Sequence, residues 1–289
     1  MYQNRKELYR RLEENRKSKV IVYVTGDRRS LETRIHQEVL DFFVHHLDLI
    51  RNVPKISLYL YTTGGDTLAA WSIVNLIRQF CEDLEVIIPS KAHSAGTLIC
   101  LGANSIVMTK QATLSPIDPS LNTPLNPQVP GAPPTVRFPV SVEAINGFIE
   151  LARNELKIST NAELTSVLGI LAANVHPLVL GQVYRTRSQI RMLGRTLLQK
   201  HKKDGEEKIE KLLDFLCSES GSHDYTIYRQ EARESLGLNV MKPDDELYGS
   251  LMAIYDDIVK ELELNAPFDP NLLLKGQNQV SYNLRRAVI

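Results

Sequence analysis

Cysteine is scarce and unpaired. The 289 residues hold three, Cys81, Cys100 and Cys217, with no CxxC spacing. An odd, scattered set excludes a disulfide framework. Each sits in an apolar, helix-like run, where a thiol packs as a small hydrophobe. No His pair has zinc-ligand spacing such as HExxH, so no metal and no other cofactor is expected. Neither sign of charge is in excess, since Lys+Arg and Asp+Glu are both 34. That removes the global basic field of a nucleic-acid binder. Long hydrophobic runs are also missing. No window holds 18 uncharged apolar residues, and the start, Met1-Tyr2-Gln3-Asn4-Arg5-Lys6, has no apolar signal core. These absences predict a cytoplasmic protein without an integral membrane segment. No GxGxxG or GxxxxGK[ST] turn occurs, so a nucleotide-phosphate site has no motif here.

What is present is an alternation. At 43% hydrophobic residues, the chain can bury a sizeable core. Residues 3–17 are dense in Arg, Lys and Glu with only Leu8 and Leu12 as an apolar stripe, an exposed or partner-packed helix. Lys19-Val20-Ile21-Val22-Tyr23-Val24 reads as a buried strand. Ile35, Val39, Phe42, Phe43, Leu47 and Ile50 then share one face of a helix predicted over 32–50. A second strand spans 56–61 and runs through Thr62-Thr63-Gly64-Gly65-Asp66 into a helix with Ile73, Leu76, Ile77 and Phe80 on its stripe. A third strand, 84–88, leads to Lys91-Ala92-His93-Ser94-Ala95-Gly96-Thr97 and another helix, and a fourth covers 105–109. Such alternation predicts an α/β architecture with mostly parallel strands.

Beyond Gln111 the pattern changes. Eight prolines between Pro116 and Pro139 break regular structure, and residues 119–139 are expected to form a mobile or partner-ordered loop bordering the functional site. Helix periodicity returns over 141–156 and 175–203. The mixed charges of Lys200–Lys211 read as a solvated turn. The end, 267–289, is weakly patterned, a tail of the partner-dependent kind. Three segments follow: an N-terminal helix over 1–18, a main domain over 19–240, and a C-terminal helix and tail over 241–289.

Two turns carry the chemistry. Gly64-Gly65 ends one strand and Ser94 ends the next. Glycines let backbone N–H groups face a substrate carbonyl, which is how an oxyanion hole is built. A serine at a helix start is most simply an N-cap. Paired with the Gly-Gly turn one strand earlier, it reads instead as a nucleophile. Asp66 reads as the N-cap of the helix that follows it.

These segments resemble the ClpP/crotonase superfamily. The likeness rests on Leu58–Asp66, on Ala92-His93-Ser94-Ala95-Gly96-Thr97-Leu98 and on Leu114-Ser115-Pro116-Ile117-Asp118-Pro119. Within it the chain is similar to the serine dehydrogenase proteinase family, a Clp-fold group related to signal peptide peptidase A. The resemblance implies a spiral of β-β-α units with a helical C-terminal part. It also implies peptide-bond hydrolysis through an acyl-enzyme and a homo-oligomer of ring or trimer type. Ser94 would be the nucleophile, with N–H donors at Gly64, Gly65 and Ala95.

The base departs from the family pattern. Where ClpP-like chains carry a histidine, this sequence reads Ser115-Pro116-Ile117-Asp118-Pro119. Signal peptide peptidases use a lysine, and no matching motif surrounds Lys157. A serine hydroxyl needs a positioned base, and histidine titrates in the right range. His223 ranks first, with a surface-turn histidine as its bland alternative. His176 follows, for which a helix-start residue is the simpler reading, and Lys157 is third. Asp118 either orients the base or forms an Asx turn. His93 adjoins Ser94 along the chain and is expected to point elsewhere. Two rival functions remain. One is an inactive Clp-fold scaffold or binding subunit, kept open by the missing histidine. The other is an acyl-CoA thioester enzyme of crotonase type, which fits less well because no acid accompanies Ser94.

Overall fold

The computed structural model describes residues 2–117, 120–200, 205–219, 224–271 and 284–289. The chain divides into two compact units. The first combines Met1–Ser115, Leu197–Lys203 and Thr226–Ile289; the second combines Pro116–Thr196 and Asp204–Tyr225.

The first unit is built on a six-stranded sheet. Its strands are β1 (Lys19–Thr25), β2 (Lys55–Tyr61), β3 (Asp83–Ile88), β5 (Ser105–Met108), β10 (Val240–Met241) and β11 (Ala287–Val288), in the order β10-β5-β3-β2-β1-β11. All neighbours are parallel except β11, which runs antiparallel to β1 with Val24 opposite Val288. The central strands are covered on both faces, which is why they read as continuous β-branched and aromatic runs rather than alternating ones. A second, three-stranded sheet joins β4 (Lys91–Ala92), β6 (Thr113–Leu114) and β9 (Ile227–Tyr228) in the order β4-β6-β9. Thr62 adds a parallel bridge to Ala92. Three of the parallel strands, β2, β3 and β5, are therefore each followed by a short segment at the second sheet: Thr62, β4 and β6. Two of these pairs then enter a helix: α3 (Thr67–Ile77) after β2 and α4 (Ala95–Leu101) after β3 and β4. This is the β-β-α repeat expected above.

Three expectations are corrected in this unit. The helix predicted over 32–50 starts later, as α2 (Leu40–Ile50) after a single 3-10 turn. Ile35 is buried, but as a bridge partner of Gly65. The tail does not wait for a partner, because its end supplies the edge strand β11. The charged helix α1 (Tyr2–Arg16) likewise has its partner within the chain. Leu8, Tyr9 and Leu12 pack in a cluster with Leu251, Ile254 and Ile258 of α10 (Asp245–Leu262). Arg5, 1% exposed, pairs with Asp257 and Glu261 of the same helix. Cys81, Cys100 and Cys217 are all buried, as expected.

A buried ionic knot anchors α1 to the sheet. Glu85 is 0% exposed and accepts from Arg16 at 2.5 and 2.9 Å, from Lys55 at 2.9 Å and from Ser57 at 2.8 Å. Burial alone would raise its pKa, but these donors outweigh burial and hold it below the ordinary carboxylate range. Glu85→Ala strips the largely buried Arg16 of its carboxylate partner and leaves Lys55 only Asp83, 4.0 Å away, so a stability loss of about 3 kcal/mol is expected in urea unfolding. The pH dependence follows in sign. A carboxylate with a depressed folded-state pKa contributes fully above its unfolded value, near pH ~4.3. That contribution is lost as pH falls through the lower folded-state pKa. The wild-type advantage over Glu85→Ala should shrink on acidification and be flat near neutrality; an advantage independent of pH would exclude Glu85 as its source.

The second unit holds β7 (Ser120–Leu121), β8 (Val140–Ser141), α5 (Val142–Glu150), α6 (Asn161–Asn174), most of α7 (Pro177–Gln199) and α8 (Glu206–Asp214). The proline-dense segment is folded on itself. β7 pairs antiparallel with β8, and Asn126, 2% exposed, donates from Nδ2 to the carbonyls of Leu121 and Phe138 at 2.7 and 2.8 Å. The stretch read as a solvated turn, 200–211, instead enters α8 from Glu206 onward, and Ile209 within it is buried together with Leu212 and Leu213 just beyond. Its Glu210 and Asp214 receive the guanidinium groups of Arg191 and Arg195 from α7. The remaining helix of the first unit, α9 (Arg229–Glu234), follows β9 directly.

Candidate active site

Ser94 sits where β4 turns into α4. Its backbone has φ 51° and ψ −112°, in a region that L-residues avoid. It occupies the N-cap position, yet its side chain makes no cap hydrogen bond. The capping role that usually explains a serine here is therefore absent. Instead, the chain spends other groups on holding Ser94 in place. Its N–H donates to Ser115 Oγ at 2.8 Å, and its carbonyl accepts from Leu98 N–H at 3.1 Å. Thr97 Oγ1 ties Ala92 and Ser115 together: it accepts from Ser115 N–H at 3.2 Å, and its one proton faces the carbonyls of Ala92 and Ser115, 3.0 and 2.8 Å away. Ser115 and Thr97 are both buried. Among the described residues the half-buried Ser94 hydroxyl has no hydrogen-bond partner.

The Gly-Gly turn lies against this serine. A Cβ at Gly64, φ +110°, would stand 2.8 Å from Ser94 Cβ and 3.4 Å from Ser94 Oγ. One at Gly65, φ +148°, would meet the Ile35 carbonyl oxygen at 2.3 Å. Gly64 uses both backbone groups internally. Its N–H donates to Thr62 Oγ1 at 3.0 Å, and its carbonyl accepts from Ile35 N–H at 2.9 Å. Asp66 N–H returns to Ile35 O at 2.9 Å. The N–H groups of Gly65 and Ala95 have no hydrogen-bond partner among the described residues. Those two residues directly follow the two that touch, Gly64 and Ser94.

The other residues fall into three groups. Asp66 caps α3, accepting from Leu68 N–H at 2.8 Å, as expected. His93 turns its Nε2 to Thr113 Oγ1, 2.9 Å away. At the C-terminal end of β1, Asp27 accepts from Tyr61 OH and Lys91 Nζ, both at 2.8 Å. Burial, reinforced by the Asp27 carboxylate, pushes the Tyr61 phenol well above its ordinary pKa, so it stays a neutral donor.

Of the proposed bases, His176 is exposed at the start of α7, where its Nδ1 accepts from Leu178 N–H at 3.2 Å. Lys157 is exposed and donates from Nζ to Asn154 O at 2.5 Å. Both belong to the second compact unit. His223 and Asp118 lie outside the described residues. Among the described residues no cluster of His, Cys, Asp and Glu could hold a metal ion. Sequence reasoning missed Ser115, Thr97 and Thr62 as supports of the two turns. Ser115 was visible only as a member of the Leu114–Pro119 motif.

Comparison with known proteins bears on this arrangement. Residues 1–130 match the family of ClpP-like SDH-type serine proteinases. The parallel sheet, the short second sheet and the β-β-α order are of the Clp-like type. One relative, Uncharacterized protein MJ0137 of Methanocaldococcus jannaschii, is 32% identical over 219 residues, 74% of this chain and 64% of its own length. A second from the same organism, Uncharacterized protein MJ1495, is 38% identical over 78 residues, 26% of this chain and 27% of its own length. Among solved structures, a lysine-to-alanine mutant of the 1510-N membrane-bound stomatin-specific protease in complex with a substrate peptide aligns with a TM-score of 0.44. That alignment has 16% identity and covers 74% of this chain and 73% of the other.

Proposed function

We propose that the chain is a serine endopeptidase that cleaves peptide bonds through an acyl-enzyme on Ser94. The observation that carries this reading is the strained, uncapped Ser94 with an unengaged hydroxyl beside two unengaged N–H groups. Strain of this kind persists only where the surroundings enforce it, and it clusters at reacting residues. In a nucleophile elbow a strained strand-to-helix turn presents the serine oxygen, and the N–H of the next residue serves the oxyanion. Here that next residue is Ala95. Ser94 Oγ attacks the scissile carbonyl carbon, and the developing oxyanion is held by the N–H groups of Gly65 and Ala95. Gly64 contributes its missing side chain, since its N–H is already spent on Thr62. The amine leaves with a proton, and water then releases the acyl group to restore Ser94.

A peptide or protein is the substrate, and homo-oligomerisation in the cytoplasm, with a separate protein delivering substrate, completes the proposal. The crotonase-type reading is weakened by Asp66, whose carboxylate is committed to capping α3. A fluorophosphonate probe tests the central claim. Adduct mass on the peptide containing Ser94 is the expected result. A folded protein that takes no label under any condition would leave the inactive scaffold as the better reading.

His223 is the proposed general base, with Asp118 as its orienting group. A histidine base makes activity fall as pH drops through the imidazole range, near pH ~6.5. His223→Ala should lower turnover by about a hundredfold or more and remove that acid limb. Unchanged activity in His223→Ala, with loss in His176→Ala or Lys157→Ala, would transfer the role.

A further inference from the structure

Helix α6, Asn161-Ala-Glu-Leu-Thr-Ser-Val-Leu-Gly-Ile-Leu-Ala-Ala-Asn174, has no buried residue. Yet eight of its 14 residues are apolar. A helix that is apolar on one stripe buries that stripe. In α6 the apolar side chains are not confined to one. Successive residues are 100° apart, so Leu164, Val167, Leu168, Ile170 and Leu171 with Ala162, Ala172 and Ala173 leave no wholly polar face. Leu168 is 51% and Ile170 60% exposed. The exposure continues into α7, where Leu178 is 68% and Tyr184 72% exposed, while Val179 and Val183 on the other side are buried. Charge is excluded from the whole stretch. Between Glu163 and Arg185 there is no Asp, Glu, Lys or Arg, and Arg185, itself exposed, follows Tyr184 directly. Neither helix is long and apolar enough to cross a membrane alone, and α6 and α7 meet at a bend of 105°.

The geometry points to a lipid surface as the occupant: α6 and the first two turns of α7 form an apolar wedge that enters the outer layer of an anionic bilayer. Leu164, Val167 and Leu171 share one side of α6 and are half-buried, so Leu168 and Ile170 carry the apolar surface that is left exposed. The sharp bend and short helices suit insertion to headgroup depth rather than a crossing. Exposed Arg185 at the end of the charge-free stretch complements anionic headgroups, and Tyr184 beside it is a residue type that favours the water–lipid boundary. This does not depend on the reaction at Ser94.

Flotation of the full chain on vesicles tests it, using phosphatidylcholine alone and phosphatidylcholine with one-quarter phosphatidylglycerol. The wild type should float with both and more strongly with the anionic mixture. Leu168→Glu with Ile170→Glu should lower the bound fraction by about tenfold or more on both vesicles. Its thermal unfolding should be unchanged, since neither side chain is buried. Arg185→Gln should lower binding only on the anionic vesicles. Ile170→Gln alone, expected to weaken binding severalfold, keeps the test open if the double variant misfolds. A wild type that stays in the soluble fraction overturns the proposal, as does flotation unaffected by Ile170→Gln. If the wild type fails to float and the double variant lowers the oligomer mass in light scattering, the face joins copies of this chain instead.

Discussion

Ser94→Ala is expected to abolish fluorophosphonate labelling and to lower peptide hydrolysis roughly ten-thousandfold or more, the usual cost of removing a serine nucleophile. Its effect on folding should be small, and this separates the nucleophile from the cap. Losing a capping serine to alanine costs about 1 kcal/mol. Ser94 makes no cap hydrogen bond, so nothing of that kind is lost. Ser94→Gly extends the argument. At φ 51° and ψ −112° an L-residue carries strain on the order of 1–3 kcal/mol. Glycine relieves it at an entropic cost of about 0.5–1 kcal/mol. The glycine variant should therefore be inactive and at least as stable as wild type in urea unfolding. A stable protein gained by deleting the reacting side chain indicates strain kept for function. A clear loss of stability in both variants would return Ser94 to a structural role.

The parts of the fold legible in the sequence are those where one physical demand had one solution. The strands β1, β2 and β3 are buried on both faces, and only unbroken runs such as Val20–Val24 or Ile56–Tyr61 satisfy that. Helix α3 announces itself through Asp66 and a regular apolar stripe. The misreadings have equally definite causes. Ile35 and Val39 fall four apart and look helical, but Ile35 is apolar because it is sealed beneath the Gly-Gly turn. Periodicity cannot distinguish burial in a bridge from burial on a helix face. Helix α6 has no wholly polar face, so the alternation that marks a helix was missing. Helix α8 was hidden by its charges: Glu207 and Lys211 are solvated, but Glu210 and Asp214 are partners for Arg191 and Arg195.

For the site, the pairing of Gly64-Gly65 with Ser94 was readable as a spacing, and the structure shows Gly64 packed on the serine side chain. Which N–H groups remain unengaged was not readable. That depends on Thr62 Oγ1 reaching Gly64 and on Ile35 bridging Gly65, contacts between segments distant in sequence. Ser115 shows the same limit. Its Oγ accepts the Ser94 N–H from 21 positions away, across β6 and α4. Sequence spacing carries no sign of such a bond.

The two glycines should respond differently to alanine. At Gly64 the new methyl would lie 2.8 Å from Ser94 Cβ and 3.0 Å from the His93 carbonyl oxygen. Neither neighbour is the free end of a flexible chain, so the serine must shift. Displacing a reacting group by about an ångström costs on the order of a hundredfold in rate. Gly64→Ala should therefore lower kcat about a hundredfold per folded molecule, with a strain cost of about 1–3 kcal/mol in stability. At Gly65 the methyl would lie 2.3 Å from Ile35 O and 2.5 Å from Ile35 N, inside a backbone bridge that cannot yield without breaking. Gly65→Ala should cost more stability than Gly64→Ala. Because turning the peptide away also removes an oxyanion donor, its surviving folded fraction should be slower by about a hundredfold to a thousandfold. Folded protein is counted by circular dichroism and rate by peptide turnover, so the two losses separate. If the pair served only as a turn, Gly64→Ala would weaken folding while leaving kcat per folded molecule near wild type. That result would remove the Gly-Gly turn from the catalytic assignment and leave the Ala95 N–H alone among the proposed oxyanion donors.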